Sequence, residues 1–209
     1  MELKKNSLKE FWNFVWNGNS IWSWIVSIIL LFIIVKFIFF PVLSLVFATK
    51  LPLVVVESSS MHHPGNFIGN IIGTQKSFDL WWDNSKEWYL NHGISKEQAE
   101  KWKLKGGLEK GDIVILSGWK QAKQGDIIVF NGNTKHPIIH RVVNINELGN
   151  KKIYSTKGDN NFDQLQTEKK IQEDAIVGKA VFVIPKIGWL KLFFVEILKP
   201  IGISFSEII

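Results

Sequence analysis

From Ile21 to Ala48 the chain carries a single charge, Lys36. No other feature constrains the fold as strongly, because so long an apolar run has to be kept from water along most of its length. Ile21–Phe40 alone makes about 30 Å of helix at about 1.5 Å per residue, the thickness of a bilayer's hydrocarbon core. Pro41 disfavours a helical conformation at Phe40 and predicts an end or a kink there. Lys36 lies close enough to that end for its ammonium to snorkel to the interface. Val46-Phe47-Ala48 has residues small enough for a signal-peptide cleavage site. However, the run exceeds the usual h-region of about 7–15 residues, so a retained anchor over residues 21–48 is expected. Trp12, Trp16, Trp22 and Trp24 crowd the start of the chain, and such rings favour the membrane–water boundary. Lys4, Lys5 and Lys9, partly offset by Glu2 and Glu10, place residues 1–20 at the cytoplasmic face and the remainder beyond the cell membrane.

The last segment, residues 188–209, is apolar again but is interrupted by Lys191, Glu196 and Lys199. Those charges favour a helix lying in the interface or on the domain over a second span. The formal net charge is +6, yet Arg141 is the only arginine among 25 basic residues. Scattered lysines without guanidinium forks argue against a nucleic-acid partner. Cysteine is absent, which removes disulfides, thiol nucleophiles and Cys-based zinc sites.

Residues 49–187 read as mainly β. Short β-branched runs recur at Leu53–Val56, Asp112–Leu116, Asp126–Phe130, Ile138–Val143, Lys152–Ser155 and Ile176–Ile184. They are bounded by Gly, Asn, Asp and Pro, as the strands of an antiparallel sheet or barrel-like domain are. Gly111-Asp112-Ile113 and Gly125-Asp126-Ile127 look like two similar turn-to-strand junctions. Residues 67–109 break the pattern. Phe78, Trp81, Trp82, Trp88 and Tyr89 recur at helical spacing, with His92-Gly93 as a stop. Ser95 and Gln98 form a capping box for a second helix running towards Trp102. A small helical insert that buries its own aromatics is expected, against the alternative of a lid or a membrane-facing flap.

The chemistry-bearing residues are individually modest. Ser58-Ser59-Ser60 ends a strand, where a polar loop is the ordinary reading. A serine hydroxyl needs a base to become a nucleophile. His140 shares a strand face with Ile138 and Val142 by period two, and Asp159 and Asp163 follow in and after a Gly-Asp-Asn turn. Taken in order, they supply a nucleophile, a base and an orienting carboxylate. His62, His63, His92 and His136 do not have metal-ligand spacing, and no cofactor is expected.

Together, Val54–Met61, the two Gly-Asp-Ile junctions, His140-Arg141-Val142, Lys157–Asn161 and Val177-Gly178-Lys179 through Gly188 resemble type I signal peptidases. The resemblance spans about residues 20–188, with 67–109 unmatched. Histidine before Arg-Val is similar to the archaeal and endoplasmic-reticulum branch; the bacterial branch has lysine there and works as a Ser–Lys dyad. The resemblance implies Ser60 as nucleophile, His140 as general base, and Ser58 beside the Ser60 amide as oxyanion-hole donors. It implies two aspartates, the second about six residues after the first. The sixth residue after Asp159 is Leu165, so Asp163 is favoured for the triad with Asp159 as organiser, and the reverse assignment stays open. His62-His63-Pro64 carries one residue more than the family's usual spacing. Signal-peptide-bearing pre-proteins, membrane lipid and the protein-export channel are the implied partners. The competing readings are a Ser–Lys peptidase using Lys135 or another lysine and a membrane-anchored β-domain that only binds.

Overall fold

The computed structural model describes residues 3–66, 74–119, 121–134 and 136–198. Part of the expected insert (67–73), Lys135 and the tail 199–209 therefore lie outside the described residues. The chain divides into two compact units after Val46.

The first unit is helical. Helix α1 (Leu3–Asn17) is followed by α2 (Ile21–Ile34), whose first turn is capped by the Ser20 hydroxyl accepting from the Ser23 amide. Ser27 Oγ donates to the Val15 carbonyl at 3.0 Å, which ties the two helices together. After α2 the chain makes one π turn (Val35–Phe39) and continues as α3 (Phe40–Phe47). The helix thus runs without a break through Ile21–Phe47, 27 residues whose most apolar 18-residue stretch has mean hydropathy 2.9. Pro41 does not end it. The Phe40 amide bonds back to Val35, and this i→i−5 widening makes room where a proline ring meets the preceding turn.

The second unit is the mainly antiparallel domain expected from the strand pattern. Strands β1 (Leu53–Val55), β2 (Ile113–Ser117), β3 (Ile127–Phe130), β4 (Ile138–Leu148), β5 (Lys151–Lys157), β6 (Ile171–Gln172) and β7 (Ile176–Ile184) form one curled, half-barrel sheet. Their spatial order is β1-β2-β7-β3-β4-β5-β6. One face buries Val56, Met61, Val114, Leu116, Ile127, Val129, Ile139 and Val183. The other buries Ile128, Phe130, Val142, Tyr154 and Ile171.

The two Gly-Asp-Ile junctions are structurally equivalent. Gly111 and Gly125 share a φ of 88°, a left-handed conformation that suits glycine. Asp112 and Asp126 each accept the amide three residues earlier, from Glu109 and Lys123, at 2.9 Å. The Gly111 amide bonds to Val56 and the Gly125 amide to Val142, so the first junction anchors the strand leading to the serines and the second anchors the histidine strand.

The insert contains α4 (Thr74–Asn91) and the single turn α5 (Lys96–Ala99). The Ser95–Gln98 capping box forms, although α5 stops short of Trp102. Phe78, Trp81, Trp82, Tyr89, Ile94 and Ala99 make a buried cluster with Val143 of β4. The aromatics are therefore core, packed on the sheet, and not an exposed flap. Helix α6 (Trp189–Leu198) follows β7.

Candidate active site

The β1–β2 ladder extends one residue past β1, with the Val56 amide on the Asp112 carbonyl, and ends at Glu57. The three serines then turn, with the His62 amide returning to the Ser59 carbonyl at 3.0 Å and the Met61 carbonyl accepting from Leu108 at 2.8 Å. Buried Val56 and Met61 pin the segment on both sides, leaving Ser58 and Ser59 exposed and Ser60 half-buried. Ser60 Oγ lies 2.9 Å from His140 Nε2 and 3.1 Å from Ser58 Oγ.

His140 sits on β4 opposite Ile128 of β3. Its ring is nearly buried, so its second nitrogen needs a partner inside the protein. That partner is Glu168: Oε1 meets His140 Nδ1. Glu168 closes a 3-10 turn (Gln166–Glu168) and is fully buried. Its Oε2 accepts the Leu165 amide at 2.6 Å, and its Oε1 also lies 3.3 Å from Thr156 Oγ1.

Sequence reasoning missed Glu168 and favoured Asp163. The structure takes Asp163 elsewhere. It is exposed, accepting the Trp88 indole N–H at 2.8 Å and the Gln164 amide at 2.7 Å. These bonds, the indole's foremost, hold its carboxyl below the ordinary range. The sequence signal available for Glu168 was thin: an acid between polar residues and two lysines, with no periodicity to show that it points inward. Glutamate's extra methylene lets it reach the ring from a loop that has already turned away.

Asp159 is fully buried and makes a different pair. Arg141 Nε lies 2.9 Å from its Oδ1 and the outer guanidinium nitrogen Nη2 lies 2.6 Å from Oδ2, where His63 Nε2 also approaches to 2.9 Å. Burial opposes its charge, but the Arg141 guanidinium and His63 outweigh that and hold the carboxyl well below the usual carboxylate range. Arg141 spends its remaining donors on the carbonyls of Lys103, Leu104 and Gly125. The turn carrying Asp159 touches both catalytic candidates. The Asn160 amide donates to the Ser60 carbonyl at 2.8 Å and Asn160 Nδ2 to the Ser59 carbonyl at 3.1 Å. At Gly158 a Cβ would come 2.8 Å from His140 Nε2, so only glycine fits there.

Of the lysines, Lys157 is buried near this turn. Its ammonium donates to the Gly158 carbonyl at 3.1 Å and lies over the rings of Trp88 and Tyr89. Burial lowers its pKa. Histidine, and not this lysine, is what faces Ser60. His62 pairs with Glu109 at 2.6 Å and His92 stacks on Trp88; among the described residues no three metal-ligating side chains converge.

No protein-family profile matches the chain. Curated relatives do. The signal peptidase complex catalytic subunit SEC11 of Lachancea thermotolerans is 32% identical over 103 residues, covering 44% of this chain and 61% of the relative. The protein of the same name from Yarrowia lipolytica is 31% identical over 108 residues, with the same coverage, and that of Candida albicans 33% identical over 103. The chain spans about 61% of the length of these relatives. These relatives carry the name of signal peptidase complex catalytic subunits, in keeping with the type I signal peptidase resemblance of the sequence.

Proposed function

We propose, from this homology and the geometry around Ser60, that the chain is a membrane-anchored serine endopeptidase that removes signal peptides from exported pre-proteins. The observation that carries the reading is the chain of contacts from Ser60 Oγ to His140 Nε2 and from His140 Nδ1 to Glu168. With the Nδ1 proton donated to Glu168, Nε2 presents its lone pair to the Ser60 hydroxyl. Ser60 Oγ adds to the scissile carbonyl carbon as its proton passes to Nε2. The Ser60 amide and the Ser58 hydroxyl hold the oxyanion, a donor of this kind being worth about 3–4 kcal/mol of barrier. As the intermediate collapses, the imidazolium gives its proton to the leaving amine, and the C–N bond breaks. Water then attacks the acyl-Ser60 ester with His140 again as base. Glu168 stabilises the imidazolium in both steps, and Asp159 organises the turn.

The apolar helix over residues 21–48 is the anchor, residues 1–20 its cytoplasmic or interfacial lead, and residues 188–209 a second membrane-facing segment. Residues 49–187, insert included, are the peptidase domain, on the extracytoplasmic side. Lipid and the protein-export channel are its partners.

The test is cleavage of a synthetic pre-protein by the purified full-length chain in detergent. Ser60→Ala abolishes cleavage and Ser59→Ala keeps most of it. Glu168→Gln lowers turnover by about 10⁴-fold, as loss of a triad carboxylate does, while Asp163→Asn stays within a few-fold of the parent. A folded, active Glu168→Gln beside an inactive Asp163→Asn would return the carboxylate role to Asp163. An active Ser60→Ala would end the reading altogether.

A further inference from the structure

The insert is bonded to the 158–161 turn, whose Asn160 amide holds the Ser60 carbonyl and whose Gly158 lies against His140. Trp81 of α4 donates its indole N–H to the Asp159 carbonyl at 2.9 Å, and its ring stacks on His63, with centroids 4.4 Å apart and planes 6° from parallel. His63 in turn holds the Asp159 carboxylate. Trp88 of the same helix holds Asp163.

The Asp159 carbonyl and the Asn160 amide are the two ends of a single peptide unit, which is planar and stiff. Trp81 grips the carbonyl end, and the amide end donates to the Ser60 carbonyl at 2.8 Å. Rotation of that plane would move both bonds together. A donor on the carbonyl also polarises the unit and strengthens its amide as a donor.

We propose that Trp81 is a positioning residue for the catalytic serine, acting through the Asp159–Asn160 peptide plane, so that the insert is a working part of the active site. The inference rests on the Ser60–His140 reading above. It explains why an insert that buries its own aromatics sends an indole N–H out of that cluster to a loop carbonyl.

The test uses the full-length chain in detergent and compares Trp81→Phe, which keeps an aromatic ring against His63 but removes the donor, with Trp82→Phe in the same aromatic core. Two readouts are taken, pre-protein kinetics and the imidazole resonances of His140 in histidine-labelled protein. Trp81→Phe is expected to lower kcat at least about tenfold, the scale of a small misplacement of reacting groups, with KM within about twofold, and to shift the His140 resonances. Trp82→Phe is expected to leave kcat and those resonances near the parent's, with comparable melting. Equal losses in the two variants would reduce Trp81 to general packing and overturn the proposal, as would an unchanged Trp81→Phe. If the parent protein cleaves nothing, the functional reading fails, and the His140 resonances decide this one alone: moved by Trp81→Phe only, it stands; unmoved, it falls.

Discussion

Asp159 keeps its charge inside the protein because Arg141 and His63 face it directly, and that has a measurable pH signature. Its folded pKa lies below its ordinary 3.8, so the stability it contributes is whole above that value and fades as pH falls through it towards the folded one. His63 adds an earlier stage. Burial lowers its pKa from 6.5, against the pull of Asp159, and its Nδ1 is buried without a partner. Protonation is therefore easier unfolded than folded, and stability begins to drop as pH falls below 6.5. The melting temperature is expected to fall in two stages on acidification, the lower one absent in Asp159→Asn. At neutral pH that variant should lose about 3–5 kcal/mol by denaturant melting, the usual cost of stripping one partner from a buried ion pair. Ser60 and His140 were legible in the sequence through the motifs that carry the family resemblance; strand period sets the face of His140 alone, since Ser60 lies in the turn beyond β1. The carboxylate was not. Asp163 and Glu168 lie in a loop, where spacing says little about which residue turns inward, and the choice is made by Trp88 drawing Asp163 outward and Leu165 holding Glu168 in.

Strands and helices were read from their periods, and six of the seven strands follow from β-branched runs bounded by turn residues. Strand β6, Ile171–Gln172, escaped notice because two residues have no period. The capping chemistry of the insert was legible because Ser95 and Gln98 carry it in their side chains. The π turn was not, since nothing in Val35–Phe39 marks it except the proline two residues beyond. The end of α4 gives a direct check. The Ile94 amide reaches the Tyr89 carbonyl and the Gly93 amide the Leu90 carbonyl, around a Gly93 with φ 72° and open space where a Cβ would stand. Gly93→Ala therefore meets no clash, only the left-handed backbone cost of about 1–2 kcal/mol. Thermal melting should show that loss, with pre-protein cleavage at the parent rate once the protein is folded. A much larger effect would mean that the end of α4 bears load beyond its cap.

At the scale of the molecule, the sequence separates an apolar helix from a β-domain with the boundary after Ala48, and the two compact units of the structure meet at Val46 and Phe47. The order of the strands was not legible, because period and turn residues locate strands without saying which are neighbours. That order places the last strand, β7, between β2 and β3. Ser60 follows β1 on one side of it, and His140 lies in β4 on the other. Neither half of the sheet pairs with the other except through residues 176–184. A chain truncated after Gln172 should thus lack cleavage altogether and lose the His140–Ser60 contact, and a full-length chain should refold slowly, as sheets closed by distant segments do. Cleavage retained by the truncated chain would show that β1 and β4 can meet without β7. In a chain being synthesised, this topology acts as a clock. Ser60 and His140 are both made before the strand that joins their halves of the sheet, so under the proposed function a chain still in synthesis stays silent towards itself and its neighbours until residues 176–184 have left the ribosome.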